Sequence, residues 1–129
     1  MLFRVTPDSP VPLGEQIAGC VRGAIADGTA TAGERLPPAR SLASSLGINV
    51  HTVLRGYQRL RDEGLVEVRR GRGTVITGRT DAPRRARLVG LAAELVAEAR
   101  QQGLGDHEIL HLVETQLPAH ATPRPAEDI

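Results

Sequence analysis

The sequence predicts a mainly α-helical fold with one small β hairpin, and three observations carry that prediction. Apolar residues recur at three- and four-residue steps in successive stretches, as on the buried face of a helix. Two short β-type runs flank a single glycine-containing tip. The chain has one Tyr, one Phe and no Trp, so its core must come from Leu, Val, Ile and Ala, which suit helices better than a sandwich.

The first helix follows Pro10 and Pro12, with Leu13, Ile17, Val21, Ala24 and Ile25 on one stripe up to Gly28. Cys20 lies beside that stripe, where core filling is its expected role. Gly33 to Leu36 then leads into Pro37 and Pro38, which force an extended approach and open a helix to Leu46. That helix buries Leu42, Ala43 and Leu46, and Gly47 stops it. Asn49 is a good N-cap for the next helix, which buries Val53, Tyr57 and Leu60 and ends at Gly64. Two helices joined by a three-residue turn with a glycine outline a helix-turn-helix.

The runs Val66–Val68 and Thr74–Thr77 form the hairpin around Arg69, Arg70, Gly71, Arg72 and Gly73, a wing. Residues 78–81 read as a linker, with Asp81 as N-cap and Pro83 in the first turn of a fourth helix. Leu88, Leu91, Ala92, Leu95, Val96 and Ala99 give that helix an apolar stripe that ends near Gly103. A fifth helix begins at Asp106 and carries Ile109, Leu112 and Val113. The expected organisation is a winged helix-turn-helix over 1–78, a two-helix dimerisation region over 79–117 and a disordered tail over 118–129.

With 129 residues the chain holds one domain, or a small domain with an appendage. It is too short for a dinucleotide-binding enzyme or a barrel with a substrate domain. All 16 basic residues are Arg, which removes lysine Schiff-base chemistry and the P-loop lysine. The net charge of +1 hides a split. Residues 1–80 carry 11 Arg and 7 acids, a balance of +4, whereas 81–129 carry 5 Arg and 8 acids, a balance of −3. One part faces anions and the other does something else. Cys20 is alone, no stretch is long enough to span a membrane and no signal peptide opens the chain, so a cytoplasmic location is expected.

On the second helix of the pair, His51, Thr52, Arg55 and Arg59 face away from the apolar stripe. Short polar side chains in the first turn with Arg one turn later suit a helix in a DNA major groove. Arg40, in the first turn of the preceding helix, can meet phosphate together with the N–H groups there. At the wing, Arg70 and Arg72 alternate with Gly71 and Gly73, whose bare backbone permits close approach to a duplex. Each residue also has a plainer reading. An Arg-bearing face is often only solvated, and Arg59 is within helical reach of Asp62 or Glu63. The ordered set is more specific than any member.

Gly33 to Ala43, Leu46 to Val53, Tyr57 to Leu60, Glu63 to Val66 and Arg70 to Thr74 together resemble the winged-helix domain of GntR-family bacterial transcription regulators. The resemblance covers about residues 10–77. It implies DNA contacts from Arg40, from Asn49, His51, Thr52 and Arg55, and from the wing around Gly71. Pro38 stands where the family usually has a Ser that can touch phosphate, and Val50 where many members carry a base-reading Arg. Asn49 and Arg55 are similar to the YtrA-type branch, whose short two-helix tail resembles a dimerisation element and matches residues 81–117. The implied function is a homodimeric regulator, by default a repressor, on an inverted-repeat double-stranded DNA operator. No cofactor is expected, and a small-molecule effector of unspecified class remains open as a further partner.

A competing motif is present. His107, Glu108 and His111 satisfy H-E-x-x-H, and Glu114 lies on nearly the same face as a third possible ligand. Taken alone this reads as a zinc-dependent hydrolase. Yet the helix is short, Ile109, Leu112 and Val113 already explain it as a packing element, and Glu108 suits the positive end of a helix without metal. The expectation is no enzyme and no metal site, with His107, His111 and Glu114 as weak candidates. Two other rivals are a winged helix used only for protein contacts and a fragment of the family's long, aminotransferase-like branch. The absent lysine and the chain's end at Ile129 weigh against the latter.

Overall fold

The structure, a computed structural model, describes residues 1–118. The expected disordered tail therefore lies, from residue 119 onward, outside the described residues. Five helices and one hairpin follow in the order α1 (Leu13–Ala26), α2 (Ala39–Leu46), α3 (Val50–Asp62), β1 (Val66–Arg69), β2 (Gly73–Ile76), α4 (Ala82–Gln101) and α5 (Asp106–Glu114). The mainly helical prediction with one small wing holds.

Each boundary has a local cause. Pro12 and Pro38 stand immediately before α1 and α2, where a missing N–H costs nothing because the first turn has no internal acceptor. Gly47 closes α2 in the left-handed region at φ 68°. Asn49 opens α3, its side-chain oxygen accepting the His51 N–H at 2.8 Å. At the far end of α3, the Arg85 guanidinium donates to the Glu63 carbonyl, satisfying a group the helix leaves unpaired.

The core forms where α1 and α2 meet α3, around Ile17, Val21, Leu42, Val53 and Leu60. Tyr57 is buried among them and its hydroxyl donates to the Pro37 carbonyl at 2.7 Å, tying α3 to the start of α2. In the antiparallel hairpin Val66 pairs with Ile76 and Arg69 with Gly73. Gly33–Leu36 lies along the other edge of β2. The Gly33 N–H donates to the Ile76 carbonyl, the Ile76 N–H to Glu34 and the Leu36 N–H to Thr74. In the sequence this segment is only a short connection, because a stretch this brief before two prolines shows no strand period.

Two features bind α1 to α3. A Cβ placed on Gly56 would stand 2.7 Å from the Gly14 carbonyl oxygen and 3.2 Å from Ile17 Cγ2, so the two backbones cross in near contact. Beside that crossing Arg22, 3% exposed, donates to Glu15 on its own helix and to both Glu63 oxygens at 2.8 and 2.7 Å. Burial works against its charge, but the hydrogen bonds it donates to Glu63 and Glu15, with their negative charge, outweigh it and hold the guanidinium above its ordinary pKa.

The packing divides inside α4. Ala82 and Ala86 join the main core, and the first compact unit spans Met1–Ala93. The first turns of α4, assigned by sequence to the second region from residue 79, therefore help to close the reading domain. In the second unit Ala99 and Ile109 are buried. The Glu108 carboxylate accepts the Gly105 N–H at 2.9 Å at the start of α5.

Gly56→Ala should destabilise the fold by about 1–2 kcal/mol, since overpacking the crossing outweighs the better helix propensity of Ala. A lower urea midpoint at unchanged slope is the expected reading. Arg22→Ala leaves two partly buried carboxylates side by side with only the half-exposed Arg59 beside them and should cost about 3 kcal/mol in the same measurement.

Candidate nucleic-acid interface

The crossing with α1 turns one side of α3 inward and leaves the other open. His51 and Arg55 are exposed on it and Thr52 is half-buried at its edge. Arg55 lies over Thr52, its Nη2 3.4 Å from the hydroxyl oxygen. Asn49 is exposed at the head of the helix. Its oxygen is engaged by the cap, which leaves the side-chain amide N–H groups free to donate outward. Arg40, in the first turn of α2, is exposed as well.

The wing tip is fully open. Arg70, Gly71, Arg72 and Gly73 are all exposed, and the two glycines take φ of 78° and 79°, which a side chain would strain. Arg72 is partly held, because its Nη2 donates to the Gly33 carbonyl at 3.1 Å. The structure thus places the predicted contact residues in two groups, the head of α3 and the hairpin tip, with Arg40 at the start of α2.

Ion pairing sorts the arginines. Arg59 lies 3.4 Å from Glu15 and 3.6 Å from Glu63, so it has the Glu63 partner of the plainer reading and a second one on α1. Arg69 pairs with Glu67 and Arg79 with Asp81. By contrast Arg40, Arg55, Arg70 and Arg72 form no ion pair among the described residues. All four are exposed, and their charge is not neutralised by a neighbouring acid. Between the first turn of α1 and Thr52, Arg55 and Arg59 lies an open cleft of about 390 Å³.

The expected dimer stripe is only partly available. Leu88, Leu91 and Leu95 are exposed along α4, Leu112 and Val113 along α5, and Val96 is half-buried. Ala99 and Ile109 are corrected: at 5% and 6% exposure they are already covered within the chain and have little surface left for a partner. Leu110 and Leu117 are exposed and were not singled out, since a stripe drawn through Ile109, Leu112 and Val113 passes them by.

At the competing motif, His107, His111 and Glu114 are exposed, with His111 Nδ1 3.8 Å from a Glu114 oxygen. Glu108, which a metallohydrolase would need as its base, is used at the Gly105 N–H. No group of three His, Cys, Asp or Glu able to hold a metal ion occurs among the described residues.

The buried Arg22 network was missed by sequence reasoning, although a signal existed. Glu15 and Arg22 are seven residues apart, hence on one helix face, and Arg22 directly follows the buried Val21.

A helix-turn-helix with an open polar helix head, followed by a basic wing, defines a winged helix-turn-helix DNA-binding protein. The family described as "Bacterial regulatory proteins, gntR family" matches residues 13–76. The chain is 38% identical over 102 residues to the HTH-type transcriptional regulator Rv1152 of Mycobacterium tuberculosis, covering 79% of this chain and 83% of that protein. It is 36% identical over 76 residues to the HTH-type transcriptional repressor YtrA of Bacillus subtilis, covering 59% and 58%. The solved structure of YtrA from Sulfolobus acidocaldarius, a GntR-family transcription factor, superposes with a TM-score of 0.57 at 31% identity, covering 73% of this chain and 99% of that one. The chain belongs to the GntR family of bacterial transcription regulators, on its YtrA-like branch. It spans 47% and 58% of the length of two of its curated relatives. No described helix is long and apolar enough to cross a membrane.

Asn49→Ala should lower the thermal midpoint by the equivalent of about 1 kcal/mol, because the His51 N–H then loses its partner. Scanning calorimetry of the variant without DNA checks this separately from any effect on binding.

Proposed function

We propose that the chain acts in the cytoplasm as a homodimeric repressor, binding an inverted-repeat operator with α3 in the major groove and the wing on the flanking backbone or minor groove. The observation that carries this reading is the position of Arg40, Arg55, Arg70 and Arg72 at the start of α2, on the first turns of α3 and at the wing tip. They are four of the exposed arginines without an acidic partner among the described residues. In the reading, Arg40 and the wing arginines bind phosphate and set the register. Asn49, His51, Thr52 and Arg55 address base edges. The sign of regulation follows the repressor name of the YtrA relative.

Pairing of two copies is supported by the exposed leucines of α4. Leu88, Leu91 and Leu95 recur at three- and four-residue steps, and a row of leucines left in water is costly unless a partner covers it. One winged helix reads few base pairs, whereas two half-sites held together gain from effective concentration.

Selection of bound duplexes from a random library, followed by fluorescence anisotropy at several salt concentrations, tests the reading. Affinity should fall steeply with salt as counterions are released. Arg55→Ala should lower the preference for the selected duplex over random DNA by about 1–3 kcal/mol. An unchanged preference would place Arg55 off the bases, and the absence of any salt-dependent binding would turn the reading towards protein contacts. Light scattering on Leu91→Glu/Leu95→Glu should show a monomer, with binding to a duplex holding two half-sites weakened far more than binding to one half-site. These changes leave Ala82 and Ala86 in place, which a cut at Gly78 would not.

A further inference from the structure

The open face of α3 carries one side chain that a solvated polar face does not need. Leu54 is 47% exposed, set between His51 one turn before and Gln58 one turn after. It takes no part in the core, to which α3 contributes Val53, Tyr57 and Leu60, with Val50 packed against them. The other exposed groups on this face are polar or charged: His51, Arg55, Gln58, Arg59, Arg61 and Asp62.

Several of those groups satisfy one another. Gln58 donates to Asp62 at 2.9 Å and accepts from Arg61 at 3.3 Å, while Arg59 turns to Glu15 and Glu63. The polar groups of the second half of α3 are thereby held along the helix. The first two turns present Asn49, His51, Leu54 and Arg55 outward, and among these Leu54 is the single apolar group.

A major-groove edge offers one apolar feature, the C5-methyl group of thymine; its other features are hydrogen-bond donors and acceptors. A leucine that can neither donate nor accept gains against that methyl group. Placed against an amino or carbonyl edge it would strip water from a polar atom and return nothing. We infer that Leu54 is a specificity-determining residue of the reading helix that recognises a thymine C5-methyl group in each half-site. The inference rests on the DNA-binding reading above and adds the base class that one side chain selects.

Deoxyuridine tests it, because it keeps every hydrogen-bonding atom of thymidine and lacks only the methyl group. The probe is a duplex selected by the full chain from a random library, with its thymines replaced by deoxyuridine one position at a time. At one thymine per half-site the replacement should weaken binding about three- to fivefold, the size expected for one apolar carbon removed from water. Leu54→Ala should bind the thymine and uracil duplexes equally at that position, and Leu54→Met, which keeps an apolar reach, should restore part of the difference. If no thymine is sensitive in the unaltered chain, or if Leu54→Ala keeps the same discrimination, the assignment of Leu54 is overturned while DNA binding stands. A chain that selects no duplex at all overturns both.

Discussion

Where α1 and α3 cross, the Gly56 position of α3 has no room for a side chain, and the Gly14 position of α1 has little. The Gly56 position faces the Gly14 carbonyl at a distance that no Cβ tolerates, and Ile17 closes the space beside it. Every other property of the reading head depends on that crossing. It fixes which side of α3 is turned inward, and so which side remains to meet a ligand. The Arg22 guanidinium reinforces it with bonds to Glu15 on α1 and Glu63 at the end of α3. Arg85 adds a third hold from α4 through the Glu63 carbonyl. A reading helix held at its head by a cap, at its middle by backbone contact and at its end by two arginines is ordered before it meets DNA. Less conformational entropy then remains to be lost on binding.

The absence of lysine has a structural use as well as an exclusionary one. A planar guanidinium makes several directed bonds at once, which a lysine ammonium cannot do in the same geometry. Arg22 uses this buried, against two carboxylates. Arg40, Arg55, Arg70 and Arg72 carry the same fork on the surface, where phosphate oxygens and guanine edges offer matching acceptors. One residue type thus serves both the interior and the proposed interface. Glu15, Glu63, Glu67 and Asp81 hold Arg22, Arg59, Arg69 and Arg79, whereas Arg40, Arg55, Arg70 and Arg72 have no acid beside them among the described residues.

Legibility in the sequence followed the range of the interaction. Helices marked by prolines, by Gly47 and by the Asn49 cap were found because each signal acts within a few residues of the boundary it sets. The wing was legible for the same reason, and so was the exposure of Asn49, His51 and Arg55 at the head of α3 and of Arg70 and Arg72 at the hairpin tip. Contacts between distant segments were not. The pairing of Gly33–Leu36 with β2 joins segments about forty residues apart, and the network of Arg22 with Glu63 spans a similar separation. Ala99 and Ile109 looked like members of an open stripe because periodicity names a face without saying what covers it.

The sequence by itself determined the class of the fold, the turn between the two central helices, the basic tip of the wing and the family resemblance. All of these are written in local residue order, through backbone conformation, capping and the spacing of apolar side chains. Tertiary structure decided which charges are free, which apolar residues remain exposed and where the reading domain closes. Arg59 and Arg55 are alike in the sequence, four residues apart on one helix, yet one is drawn to Glu15 and Glu63 and the other is not. Ala82 and Ala86 read as part of a separate tail until they are seen filling the core. The physical reason is the same in each case: burial and ion pairing depend on what lies across space, and that is known only once the helices have packed.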